Sequence, residues 1–182
     1  MGVGMVNITI SGHPGSGTST LVGQLEQHFS WSSLNGGQIF REQAKAHGMS
    51  LEEFGQLCTS NLEVDRELDE ILKERMLSET SEIIESRLAG WWAYQLNIDC
   101  VRVWLSVSPE ERARRVTQRE GISIEVAHKA NELRRSVDLS RFQELYGLNP
   151  EDKTPYTHII EASSKTIGDL AFEVISILEA KQ

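Results

Sequence analysis

The chain has 182 residues, enough for one domain spanning residues 1–182 with a small mobile lid, and a domain of this size buries roughly 70% of the surface its unfolded chain exposes. Its 18 Lys and Arg stand against 27 Asp and Glu, a net charge of −9 that argues against broad nucleic-acid binding, which needs a basic surface. Cys58 and Cys100 lie far apart in no metal-binding spacing and read as buried thiols of a reducing compartment. No apolar run is long enough to span a membrane, and the N-terminus lacks the basic start and cleavage site of a signal peptide, so the expected location is the cytoplasm.

The apolar residues Val6, Ile8 and Ile10 mark a first strand, Val6 to Ser11, followed at once by the stretch GHPGSGTST. That stretch fits the phosphate-loop pattern G-x-x-x-x-G-K-[ST] at Gly12, Gly17 and Ser19, with Thr18 where the pattern has lysine. Gly12, Gly15 and Gly17 are expected to take φ values that other residues avoid, turning successive backbone N–H groups toward one point. A helix from Thr18 to Phe29, with Leu21, Val22 and Leu25 inward, adds its positive N-terminal end. The expected ATP-binding set is therefore Gly12, His13, Pro14, Gly15, Ser16, Gly17, Thr18, Ser19 and Thr20, with the Ser19 hydroxyl placed to hold Mg²⁺. Thr18 brings a hydroxyl without charge, so the phosphates need positive charge from elsewhere.

Beyond the loop, Gln38 to His47 reads as a helix ending at Gly48. Ser50 then caps a helix in which Glu53 completes a capping box and Leu51, Phe54 and Leu57 form the apolar face. Leu62 to Leu77 is a further amphipathic helix, and Glu82 to Glu85 a short strand. Val101 to Val107 is a buried strand, after which Ser108, Pro109 and Glu111 open another helix. Ser123 to Tyr146 reads as one or two helices, His158 to Glu161 as a last strand, and Ile167 to Ala180 as a C-terminal helix. Strands separated by helices imply an α/β fold with a parallel, about five-stranded sheet covered on both faces, which places ligands at the carboxyl ends of the strands.

Four segments compete for chemistry there. In GGQIFRE, Arg41 on the first turns of a helix is either a solvated side chain or a guanidinium aimed at an anionic substrate. In IIESRLAGWW, Glu85 ends a strand where it can hold hydrated Mg²⁺, and Arg87 can grip a second phosphate; the bland alternative is a salt bridge between the two. Trp91 and Trp92 read as packing residues. Arg112, Arg115 and Arg119 share one helix face, either solvated beside Glu110, Glu111 and Glu120 or closing over phosphates. Arg134, Asp138 and Arg141 share another, where Asp138 either ion-pairs these arginines or accepts hydrogen bonds from a substrate sugar or base.

Taken together, GHPGSGTST, QIFREQAKAHGMSLEEFGQLC, ESRLAGW, ERARRVTQREG and LRRSVDLSRFQELYG resemble the cytidylate kinase family, most closely its short, archaeal-type branch among the P-loop nucleoside monophosphate kinases. The resemblance covers about Ile8 to Tyr146 in the family's order, and in that branch the loop commonly carries threonine at the Thr18 position. It implies a monomeric enzyme that moves the γ-phosphoryl group of ATP to CMP or dCMP with Mg²⁺. The monophosphate-binding helices would span about 36–78 and a lid about 115–141. Arg41 and Arg87 would then meet the acceptor phosphate, and Asp138 and Arg141 the acceptor nucleoside. Arg115, Arg119 and Arg134 would serve the transferred phosphate, Ser19 and Glu85 the metal, and the segment Ser163 to Lys165 would lie near the donor adenine. Ser86 stands where the family has glycine, and Ser106 where it often has aspartate. Two alternatives stay open: another nucleoside monophosphate or small phosphorylated metabolite as acceptor, or a non-catalytic nucleotide-binding protein.

Overall fold

The computed structural model describes residues 6–78 and 81–181. Five parallel strands form one sheet: β1 (Ile8–Gly12), β2 (Ser33–Asn35), β3 (Ile83–Glu85), β4 (Val101–Ser106) and β5 (His158–Glu161), in the order β2-β3-β1-β4-β5. The register aligns Ile8 with both Ile83 and Val101, so β1 lies in the centre and is buried along its whole length. Its residues alternate Ile8, Thr9, Ile10 and Ser11, yet Thr9 and Ser11 are buried as fully as the isoleucines because helices cover both faces.

Among the described residues eight helices connect and cover the strands: α1 (Thr18–Phe29), α2 (Gly36–Ala46), α3 (Leu51–Ser60), α4 (Leu62–Ser78), α5 (Ala89–Gln95), α6 (Pro109–Glu120), α7 (Ile124–Tyr146) and α8 (Ile167–Lys181). On one face of the sheet Leu21 and Leu25 of α1 pack with Leu170 and Val174 of α8 against Ile8, Ile10 and Val103. On the other face Leu72 and Met76 of α4, Trp92 of α5 and Phe142 of α7 surround Ile84. Two smaller apolar clusters complete the packing. Ala44, Phe54 and Cys58 tie α2, α3 and α4 together, and Ala113, Val116 and Ala127 join α6 to α7. These clusters lie beside the sheet core rather than apart from it, since Ile39 of α2, Leu72 and Met76 of α4 and Phe142 of α7 also pack against Ile84.

The sequence signals at helix starts are met. Ser50 and Glu53 form a reciprocal capping box, and Ser108 accepts from the backbone N–H of Glu111 with Pro109 at the first helical position. Two readings need correction. The strand β2 was not anticipated, because only Leu34 of its three residues is buried and its polar neighbours carry no strand pattern. The helix α5 was also missed: Ala89, Gly90, Trp92 and Ala93 are buried and only Tyr94 and Gln95 at its end are exposed, too few residues to show a helical period. Its Gly90 permits a very close approach, since a Cβ there would lie 2.4 Å from the Tyr156 ring. Residues 124–146 form a single helix. Cys58 and Cys100 are both buried and unpaired, and burial raises the Cys100 thiol to about 11. No helix of the described residues is long and apolar enough to cross a membrane.

Candidate active site

The loop from Gly12 to Gly17 joins β1 to α1 at the carboxyl end of the central strand. Gly15 and Gly17 hold φ of 84° and 87°, the left-handed values that favour glycine. Gly12 does not, contrary to the sequence reading, and is needed for space: a Cβ there would meet Thr18 Cγ2 at 3.1 Å and Ser16 Cβ at 3.2 Å. Gly17 caps α1 with no side-chain hydrogen bond, and the first turn of α1 carries no acidic residue. The first N–H groups of α1 are therefore left for an anion, reinforced by the helix dipole.

The arginines of α6 brace this loop from behind. Arg112 is only 2% exposed and lies close to the carbonyl of Pro14, 3.4 Å from its Nη1. Arg115 donates to the carbonyl of Ser16 at 2.8 Å and to that of Ala162 at 2.6 Å. Its Nη1 would sit 3.4 Å from a Cβ on Gly17, so a positive charge stands next to Thr18, the position that lacks lysine. Glu111 holds Arg114 and Arg115 together, and their hydrogen bonds pull its carboxyl down to about 2. Arg119 is separate from this group: its side chain is 62% exposed and pairs with Glu120. The three arginines expected to converge thus divide into one buried prop, one that grips the loop carbonyls and one free at the surface.

On the other side of the loop, Ser19 Oγ donates to Glu85 Oε1 at 2.8 Å. A hydroxyl and a carboxylate are hard oxygen donors of the kind Mg²⁺ takes while keeping waters and phosphate oxygens as its other ligands, so the two residues fit that ion. Among the described residues no cluster of three or more His, Cys, Asp or Glu offers an all-protein metal cage.

Ser19 and Glu85 open onto a cavity of about 1100 Å³ between β3, α2, α3, α4 and α7. Arg41, Arg87, Arg134, Asp138 and Arg141 all line it. Asn35 caps α2 through the N–H of Gln38, which leaves the side-chain-free amides of Gly36 and Gly37 facing the cavity near Arg41. The alternative salt bridge between Glu85 and Arg87 does not form. Arg87 Nε instead donates to Asp138 Oδ2 at 3.2 Å, while Asp138 Oδ1 accepts from Arg141 Nη2 at 3.3 Å. Burial pulls the Arg87 guanidinium below its usual value and the nearby Asp138 carboxylate opposes this, so it stays charged. Among the described residues Arg41 and Arg134 have no ion pair, and they line the cavity as uncompensated cations. Trp92 packs in the core with Lys73 over its ring, and Trp91 donates its indole N–H to the carbonyl of Asn149.

Sequence reasoning missed Asp65 and Asp69, which α4 presents to the same cavity one turn apart. It also missed Glu151, which accepts from Arg135 at 2.6 Å and contacts His13 Nε2 at 2.7 Å, tying the phosphate loop to α7. In the sequence Asp65 and Asp69 look like two more polar residues on an amphipathic helix, and nothing but their position in space sets them apart.

The sequence and the fold match known proteins. A family model described as an AAA domain matches residues 8–136. The cytidylate kinase of Thermococcus kodakarensis is 40% identical over 160 residues, 88% of this chain and 81% of its own. That of Methanopyrus kandleri is 37% identical over 183 residues, covering 96% and 92%. Among solved structures, shikimate kinase from Bacteroides thetaiotaomicron superposes with a TM-score of 0.63 at 17% identity, covering 96% of this chain and 99% of its own, which supports the fold alone. With relatives this similar along nearly all of its length, and with the phosphate loop and arginine-lined cavity in place, the chain belongs to the cytidylate kinase family.

Proposed function

We propose that the protein transfers the γ-phosphoryl group of ATP to the phosphate of CMP or dCMP, giving ADP and CDP or dCDP. One observation carries this reading: the Ser19–Glu85 pair beside the phosphate loop and the unpaired guanidinium groups of Arg41 and Arg134 line one continuous cavity. A donor triphosphate on the loop and an acceptor phosphate among the arginines then meet across a short gap. The acceptor phosphate oxygen is already a nucleophile, so no side-chain base is required, and catalysis rests on positioning and charge.

The loop amides and the N-terminus of α1 take the β- and γ-phosphates. Arg115 adds charge beside Gly17, which offsets the missing lysine at Thr18. Mg²⁺ bound by Ser19 and Glu85 would neutralise charge across the β- and γ-phosphates. Arg41, Arg87 and the amides of Gly36 and Gly37 hold the acceptor phosphate, and Asp138 orients Arg87 and Arg141 by pairing with both. Arg119 and Arg134 lie on the segment 115–141, which we assign as the lid, with α2–α4 (residues 36–78) as the acceptor-binding region. Each of these two units carries a small apolar cluster of its own beside the sheet core, which supports that assignment. Closure would bring both arginines onto the transferred phosphoryl group and exclude water. The enzyme is proposed to act as a cytoplasmic monomer.

The test is a coupled assay of ADP formation with CMP, dCMP, UMP and AMP. CMP and dCMP should give the highest kcat/KM. Another monophosphate outpacing both would reject the acceptor, and ATP binding without acceptor-dependent ADP formation would reject the enzyme.

A further inference from the structure

Charged groups alternate along the acceptor cavity. From the end near Glu85 the order is Arg87, Asp138, Arg141 and Asp65, each within 3.3 Å of the next: Arg87 Nε to Asp138 at 3.2 Å, Asp138 to Arg141 Nη2 at 3.3 Å, and Arg141 Nε to Asp65 Oδ2 at 3.2 Å. Asp65 therefore sits three ion pairs beyond Arg87, with Asp69 one turn further along α4, at the end away from the reacting phosphates. The apolar side chains Phe40, Leu68 and Leu72 line the same cavity. A flat heterocycle attached to a phosphate held by Arg87 would lie there.

Asp65 and Asp69 differ in how far their acceptor capacity is used. Asp65 is almost fully buried, and both of its oxygens face Arg141, 3.3 Å from Nη1 and 3.2 Å from Nε. Among the described residues Asp69 has no cation in an ion pair, although the charge of Arg141 is felt there. Its Oδ2 accepts from Tyr146 Oη at 2.7 Å, and the Trp92 indole also bears on the carboxyl. A carboxylate has about four lone-pair sites, so Asp69 keeps room for another donor. Burial is the main reason its carboxyl rises to about 6, with the negative charge of Asp65 adding to it; above that pH it is a charged acceptor that water solvates poorly.

We propose that Asp69 is the residue that selects an amino-bearing pyrimidine, accepting a hydrogen bond from the exocyclic 4-amino group of the acceptor base. The inference rests on the phosphoryl-transfer reading above. Cytosine offers a donor at N4 and acceptors at N3 and O2, which suits a carboxylate in Asp69 and a guanidinium in Arg141. Uracil offers a carbonyl oxygen at position 4, which would face the Asp69 carboxylate with no hydrogen between two acceptors. Direct readout of this kind discriminates by about 5- to 150-fold.

The test pairs a change in the enzyme with a change in the base. Wild type and Asp69→Asn are assayed with CMP, with UMP, and with the 2-pyrimidinone ribonucleotide that lacks the 4-amino group altogether. In wild type, removing the amino group should lower kcat/KM at least tenfold. In Asp69→Asn the loss should shrink to within about threefold, and the UMP-to-CMP ratio should rise at least tenfold, because an amide can donate to uracil O4. Equal CMP-to-analogue ratios in wild type and variant overturn the proposal. So does a ratio that moves in Asp65→Asn and not in Asp69→Asn. The analogue comparison in wild type needs no variant to fold: a loss under threefold there also overturns it. Failure of wild type to phosphorylate CMP at all would instead reject the function on which the inference rests.

Discussion

Asp69→Asn should stabilise the protein at neutral pH and have little effect in acid. Burial in the acceptor cavity is the largest influence on this carboxyl and raises it from 3.8 to about 6, against the lowering effect of the Tyr146 hydroxyl. An acid that is raised on folding binds its proton more tightly in the folded state. Stability therefore falls as pH climbs from about 4 through 6, and the full penalty applies above that window. At 1.36 kcal/mol per pH unit the shift corresponds to about 3 kcal/mol. Asparagine carries no charge at any pH and keeps an oxygen for the Tyr146 hydroxyl. Urea denaturation followed by far-UV circular dichroism should thus show Asp69→Asn more stable by up to about 3 kcal/mol at pH 8 and by less than about 1 kcal/mol at pH 4. The same difference at both pH values, or a loss at pH 8, would refute the reasoning. A gain of that size is a large part of the 5–15 kcal/mol typical of a domain, and a carboxylate kept at such a cost is characteristic of functional sites.

Other outcomes follow from the same geometry. Arg119→Ala should lower kcat with CMP by at least about a hundredfold while leaving ATP affinity within a few-fold, because Arg119 pairs with Glu120 away from the cavity and would reach the transferred phosphoryl group only on closure; an unchanged rate would remove it from the lid. Thr18→Lys should retain or raise CMP-dependent ADP formation, since it restores the charge that Arg115 now supplies from α6, and total loss would mean that the loop geometry is built around threonine. Gly90→Ala should destabilise the fold by about 1–3 kcal/mol in denaturant unfolding, because its Cβ would lie 2.4 Å from the Tyr156 ring; a change under about 0.5 kcal/mol would mean that the ring moves aside freely.

Much of the scaffold is legible without coordinates because its signals are local. Gly15 and Gly17 mark left-handed turns, Ser50 with Glu53 and Ser108 with Pro109 mark helix starts, and the buried run Val101 to Ser106 marks a central strand. Each signal is readable because the residue and the group it satisfies lie within about four positions of each other. The elements that escaped, β2 and α5, are short and owe their shape to neighbours: one is stapled to β3, and the other is buried on every side but one.

The site divides along the same line. Loop, metal hydroxyl and the candidate arginines can be named from residue type and spacing, since phosphate chemistry demands glycines, hydroxyls and guanidinium groups in a particular order. Which partner each arginine takes is decided by contacts between distant parts of the chain. Arg112 and Arg115 look alike on one helix face, yet 98 and 99 residues separate them from the loop carbonyls they approach, and only packing of α6 under the loop sets them there. Arg87 takes Asp138 as its partner rather than the nearby Glu85 because α7 crosses the cavity opposite β3. Asp65 and Asp69 enter the cavity for the same reason. Local sequence dictates backbone shape and the inventory of chemical groups, whereas charge pairing and burial depend on which groups the fold brings within a few ångströms, and that is a property of the assembled chain.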